Sequence, residues 1–307
     1  MAFVSVADKH AIEAEMPWEA RELPRTVYGL LSETERKFPD RPAISFQILS
    51  GPKDKAETLT WRELKARVTR AANMFRDMGV GEGDTVAYIL PICNEATVSF
   101  LAGMVAGVVN PVNPLLEPEQ ISAILRETEA KVVVTLRAFP KTDVAEKVAE
   151  AVRHAPQVHT VLEVDLNRYL APPRSWIVPL IRPKAAHGHH ADVKDFNAEA
   201  ARYPVARLQF EDAHGDRVAA YFHTGGTTGM PKVAQHRYSG MIYNGWVGNR
   251  LLFTEEDATI CPLPLFHVFA CHVIVMSALA SGSHVVFPTP AGYRGDGVFD
   301  NFWKLVE

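Results

Sequence analysis

Between two apolar runs, the stretch YFHTGGTTGMPKVA (Tyr221 to Ala234) gathers three glycines, three threonines and one lysine. That mixture suits a phosphate site. Glycines let backbone N–H groups turn inward at unusual dihedrals, short hydroxyls meet phosphate oxygens or a metal, and a lysine supplies a point charge for terminal phosphates. Gly225, Gly226 and Gly229 fill the first role, Thr224, Thr227 and Thr228 the second, and Lys232 the third. Pro231 fixes the backbone just before Lys232 and so aims the lysine. The apolar strand Ala219 to Phe222 leads straight into the loop, at a strand's C-terminal end, where α/β sheets bind ligands. A Walker loop is excluded, because proline rather than glycine precedes Lys232 and valine follows it; GxGxxG is absent as well. The plainer alternative is a glycine-rich hairpin whose threonines face water.

Other residue types offer less. His267 stands alone in the apolar run PLPLFHVFA, where a satisfied core histidine is the ordinary reading. The cluster His187 to His190 has only Asp192 near ligand spacing and lies in loop-like sequence, which argues against a metal centre. Ser239 and His236 do not sit in a nucleophile elbow, so a serine hydrolase is rejected. Cys93, Cys261 and Cys271 show no CxxC spacing and read as small core residues in a reducing compartment.

The elements that must position the loop alternate along the chain. Helices are expected over Thr26–Lys37, from Thr60 to about Met78, and over Ala96–Ala106, Glu119–Glu127, Val144–His154, Met241–Leu251, Phe269–Ala280 and Val298–Val306. Thr60 and Glu63 form a capping box, and Gly79 stops that helix. Strands are expected over Pro42–Ile48, Thr85–Leu90, Val108–Val112, Val132–Leu136, Val158–Val164, Val218–Phe222, Val233–Gln235, Ala258–Cys261 and Val285–Phe287. Gly51 to Thr58 reads as a polar turn, and the proline- and histidine-rich Ala171 to His190 as a long surface excursion. Such alternation implies an α/β fold with a mainly parallel sheet and helices on both faces. The 307 residues, 47% hydrophobic, allow a sizeable core. A balance of 32 basic against 36 acidic residues offers no case for nucleic acid. The N-terminus is no secretory signal and no stretch is long and apolar enough to span a bilayer, so the chain reads as soluble and cytoplasmic.

HTGGTTGMPKVA closely resembles the signature loop of the adenylate-forming superfamily: acyl- and aryl-CoA ligases, peptide-synthetase adenylation domains and beetle luciferases. Thr227 through Lys232 match the family's TTGxPK, while Gly225 replaces the usual hydroxyl residue. TWREL from Thr60, GDTVAYIL from Gly83 with the following NEATVSFLAGMVAGVVNPVNP, and PLPLFHVFA from Pro262 resemble further family segments in the same order. The acyl-CoA synthetase branch is the best match. The resemblance implies a fold of two mainly parallel sheets interleaved with helices, a layered αβαβα arrangement. It groups residues 1–58 with 218–307 as one sublobe and 60–217 as the other.

It also implies that a carboxylic acid, with fatty acids favoured, reacts with ATP to an acyl-adenylate that coenzyme A converts to the thioester. Lys232 and the loop amides would hold the β- and γ-phosphates, Thr224 would help hold magnesium, and His267 would face the acyl group or adenylate. The family's tyrosine–glycine–x–threonine–glutamate motif and its mobile C-terminal domain find no counterpart up to Glu307. The expectation is therefore a truncated N-terminal domain, unable to turn over alone, with uncovered apolar surface that favours homo-oligomers. An aryl-CoA ligase, an amino-acid adenylation domain and a non-catalytic nucleotide-binding fragment stay open as alternatives.

Overall fold

In the computed structural model, residues 5–51, 54–184, 188–213, 215–224 and 232–306 are described. The chain begins with α1 (Val6–Glu15) and α2 (Val27–Lys37), the latter capped by Thr26, whose Oγ1 accepts from Gly29 N at 2.9 Å. A hairpin follows, β1 (Pro42–Gln47) and β2 (Ala56–Thr60). Next come α3 (Trp61–Asp77), β3 (Thr85–Ile89), α4 (Asn94–Ala106), β4 (Val108–Pro111), α5 (Pro118–Glu127), β5 (Ala130–Leu136), α6 (Val144–Arg153) and β6 (Thr160–Val164). α7 (Arg174–Ile181), β7 (Asp192–Asp195) and α8 (Phe196–Ala200) lead to β8 (Val218–Thr224), β9 (Lys232–Arg237) and α9 (Tyr238–Leu251). The remainder is β10 (Ala258–Ile260), a π-helical turn (Phe269–Val275), α10 (Met276–Ser281), β11 (His284–Phe287) and α11 (Phe302–Val306).

The strands form two sheets. Order β10-β11-β1-β2 makes the smaller, and order β7-β6-β5-β3-β4-β8-β9 the larger. Parallel pairing dominates both; among the described residues only β1–β2 and β8–β9 run antiparallel. Helices α3 and α4 join the two sheets, α3 packing on β1 and β2, and α4 on β1 as well as β3, β4 and β8. Every residue of α4 is buried, which its small side chains permit. Gly103 allows the closest approach: a Cβ there would lie 2.8 Å from Val109 Cγ2. The α/β fold and the two mainly parallel sheets agree with the expectation from sequence.

Three local differences stand out. The stretch read as a turn, Gly51 to Thr58, contains the start of β2, an edge strand with only Leu59 buried and hence little apolar alternation. The surface excursion at Ala171 to His190 contains α7. The helix expected over Val298–Val306 forms only over Phe302–Val306. At the level of the sheets, β8 and β9 pair into the larger sheet through β4, so the chain returns to the smaller sheet after Arg237 rather than at Val218. No helix among the described residues is long and apolar enough to cross a membrane.

An ionic cluster fastens the smaller sheet to the larger one's connections. Arg168 donates to Glu57 at 2.6 Å and to Glu95 at 2.9 Å, Arg67 donates to Glu57 at 2.8 Å, and Tyr169 donates to Glu95 at 2.7 Å. Burial opposes ionisation of Glu57, but donors from Arg67, Arg168 and Asn94 outweigh it and hold the carboxyl well below its ordinary range. A concavity of about 200 Å³ beside this cluster is lined by Arg67, Arg70, Arg168 and Glu95, and Glu57 and Glu95 answer two of its arginines.

Candidate active site

The hairpin β8–β9 sets Thr224 directly across the ladder from Lys232, so the two ends of the loop are held roughly 5 Å apart. β8 runs parallel to β4, which puts the loop at the carboxyl edge of the larger sheet, where such sheets bind ligands. Lys232 is exposed at the start of the edge strand β9. Gly225, Gly226, Thr227, Thr228, Gly229 and Pro231 lie outside the described residues, as does the side chain of Thr224.

Just before the loop, His223 joins a buried chain of polar groups. Its Nε2 lies 2.7 Å from Asn110 Oδ1, and Asn110 Nδ2 donates to Thr128 Oγ1 at 3.0 Å. Thr128 in turn donates to the Ile124 carbonyl at 2.8 Å. Because Asn110 Oδ1 only accepts, Nε2 carries the proton and the buried Nδ1 keeps a lone pair without a partner. Burial lowers the His223 pKa to about 4, so the ring is neutral at neutral pH.

The other end of the hairpin borders a cavity of about 370 Å³. His236, His267 and His272 line it together with Asn244 and the apolar Val268 and Phe269. His236 and His272 meet edge to face, with ring centroids 4.6 Å apart, and Phe222 touches both. His272 is only 5% exposed, and its Nε2 has no hydrogen-bond partner. Burial, aided by His236, lowers its pKa to about 4; burial also lowers that of His236. The cavity thus presents the neutral His272 imidazole beside an apolar wall, with Arg237 also on its lining. From His236 to Lys232 is four residues of strand, about 13 Å at roughly 3.3 Å per residue.

His267 is exposed at the cavity rim, where its Nδ1 accepts from Phe269 N at 3.2 Å. The stretch leading to it is pinned from several sides. Tyr88 OH and Cys271 Sγ both donate to the Leu265 carbonyl, the latter at 3.1 Å. Gly292, at φ +60°, presses on Pro262 so closely that a Cβ would lie 1.9 Å from its carbonyl oxygen. Ser239 Oγ donates to Asp216 at 2.9 Å, a helix-start contact. His190 Nε2 lies 2.8 Å from the Val158 carbonyl, and His187 falls outside the described residues. Among the described residues no three His, Cys, Asp or Glu side chains gather as metal ligands.

The profile of the AMP-binding enzyme family matches residues 31–307. The chain belongs to the AMP-binding enzyme family. Among curated relatives of this AMP-binding chain is a marinolic acid–CoA ligase from Pseudoalteromonas sp. (strain SANK 73390). It is 28% identical over 307 residues, which cover 98% of this chain and 43% of the relative. A long-chain-fatty-acid–CoA ligase from Bacillus subtilis (strain 168) is 23% identical, over 90% of this chain and 50% of the relative. The crystal structure of an anthranilate CoA ligase in complex with anthranoyl-AMP shares the fold. Its TM-score is 0.69 at 19% identity, covering 89% of this chain and 47% of that one. The chain thus spans about half the length of the relatives it matches.

Sequence reasoning singled out Thr224, Lys232 and His267 in this AMP-binding chain and missed His223 as part of the polar chain before the loop and His236 and His272 as cavity groups. The signal for His236 and His272 was slight. His236 is one histidine in the polar edge strand β9 and His272 one in the apolar π-helical turn, and only tertiary packing brings the two rings together.

Proposed function

We propose that this chain supplies the nucleotide- and acid-binding part of an ATP-dependent acid–CoA ligase. The whole protein would join a carboxylic acid to ATP, releasing pyrophosphate, and coenzyme A would then displace AMP to form the thioester. The reading rests on one observation above others. A single hairpin presents Thr224 and Lys232 at the sheet's carboxyl edge and, one strand length away, a cavity lined by His236, His267 and His272.

A carboxylate attacking an anionic α-phosphate needs positioning and charge neutralisation more than covalent help. Lys232 and the amides of Gly225 to Gly229 would hold the β- and γ-phosphates in place until pyrophosphate leaves. His267 would border the acyl group, with Val268 and Phe269 as its apolar wall. That wall, together with the Bacillus relative, favours an alkyl chain and hence a fatty acid. Magnesium commonly binds through phosphate oxygens plus one or two protein oxygens, and the hydroxyl of Thr224 has the hard-oxygen chemistry this requires. Bound there, the ion would neutralise triphosphate charge.

The test is acid-dependent ATP–pyrophosphate exchange and CoA-thioester formation by the protein that carries this chain. Alkyl acids of rising length would be compared with aryl and amino acids. Exchange with alkyl acids supports the proposal, and preference for aryl or amino acids moves it to the alternatives. Nucleotide binding with no exchange on any acid contradicts it.

A further inference from the structure

Helix α7 is turned the wrong way round for a water-facing surface. Trp176, Ile177, Leu180 and Ile181 are 70%, 46%, 83% and 59% exposed, whereas Val178 is 7% exposed. The spacing i, i+1, i+4, i+5 gathers the four exposed side chains on one stripe. Polar contacts at either end fix this orientation. Asn167 Nδ2 donates to the Ser175 carbonyl at 3.1 Å, and Arg182 donates to both oxygens of Asp165 at 2.8 and 2.7 Å.

Charge around the stripe has one sign in excess. Arg174 begins α7 and pairs with Asp54, and Arg182 and Lys184 follow its last turn. Arg137 shares Asp165 with Arg182, and Lys55 adjoins Asp54, so these five cations stand against two acids in a chain whose overall charge is −4. Lys184 and Lys55 are exposed, and Arg174, though paired with Asp54 at 2.8 Å, keeps 60% of its side chain in solvent.

We propose that α7 is an interfacial element that seats this protein on anionic bilayers. Trp176 and the three aliphatic side chains would enter the headgroup–acyl boundary, while the flanking cations meet lipid phosphates. A protein partner fits less well. Four apolar side chains fall far short of the roughly 20–30 residues per side of a stable interface, and charged residues are depleted at the cores of such interfaces. The inference does not rest on the ligase reading.

The test is co-sedimentation of the full protein with vesicles of phosphatidylglycerol and phosphatidylcholine, against vesicles of phosphatidylcholine alone. Binding is expected only to the anionic vesicles and should weaken in high salt, since the attraction is screened. The double variant Trp176→Ser/Leu180→Ser should lower the partition coefficient at least tenfold, and Lys184→Glu several-fold. Equal binding by the variants, or a parent protein that ignores both vesicles, overturns the proposal. So does a parent dimer that the double variant dissociates without any vesicle binding. If the double variant is misfolded by circular dichroism, quenching of tryptophan fluorescence by brominated anionic lipid decides: Trp176→Phe should abolish most of the quenching, and unchanged quenching overturns the proposal.

Discussion

At the residue scale, the half-buried His223 and the buried His272 contribute to how the protein meets acid. Each titrates at about 4 when folded, against an ordinary value of 6.5. Between those values the unfolded chain binds more protons, so stability is fully present above pH 6.5 and falls as pH drops toward 4. Each ring accounts for at most about 3 kcal/mol of that loss. His272→Phe removes one of the two, so its stability should fall less between pH 7 and pH 4.5 than the parent's. Chemical denaturation at both values measures this, and an identical fall in both proteins would contradict it. Side-chain types alone exposed the threonine–glycine loop and its lysine, because phosphate chemistry needs that composition. They could not distinguish a core histidine from one lining a cavity, since His272 owes its place to the packing of the π-helical turn against Phe222 and His236.

Elements carry the next level of specificity. Arg168 bridges Glu57 of β2 and Glu95 of α4, and the Glu95 side chain is only 2% exposed. Arg168→Ala would leave that carboxylate buried with less compensation, which commonly costs about 3–5 kcal/mol. Urea unfolding should show the loss, and Arg168→Ala combined with Glu95→Gln should recover part of it; a single variant as stable as the parent would refute the bridging role. Gly292 tests a different contact, its backbone against the Pro262 carbonyl ahead of His267. Gly292→Ala forces a shift there, with an expected destabilisation of about 1–3 kcal/mol and a raised KM for the acid; an unchanged KM would mean the contact does not position His267. Most elements were readable from periodicity and from caps such as Thr60 with Glu63, whose reciprocal bonds form at 3.2 and 2.8 Å. β2 and α7 were not. One is a polar edge strand, and the other follows consecutive prolines and points its apolar face outward, so neither shows the expected alternation of buried and exposed positions.

For the whole molecule, the two sheets meet through α3 and α4, and the larger one ends in the hairpin that carries the loop. Which sheet would hold β8 and β9 was not legible, because Val218 to Arg237 is compatible with either edge until the pairing of Val109 with Ala220 is known. Once placed there, the hairpin puts Thr224 and Lys232 at the carboxyl ends of the parallel strands, and the proposed triphosphate contact depends on that position. The direct test is Lys232→Ala in the protein that carries this chain, read by carboxylate-dependent ATP–pyrophosphate exchange. Lys232 is exposed on an edge strand, so the melting temperature should hardly change while exchange falls about 10²–10³-fold. Exchange at the parent rate would contradict the account.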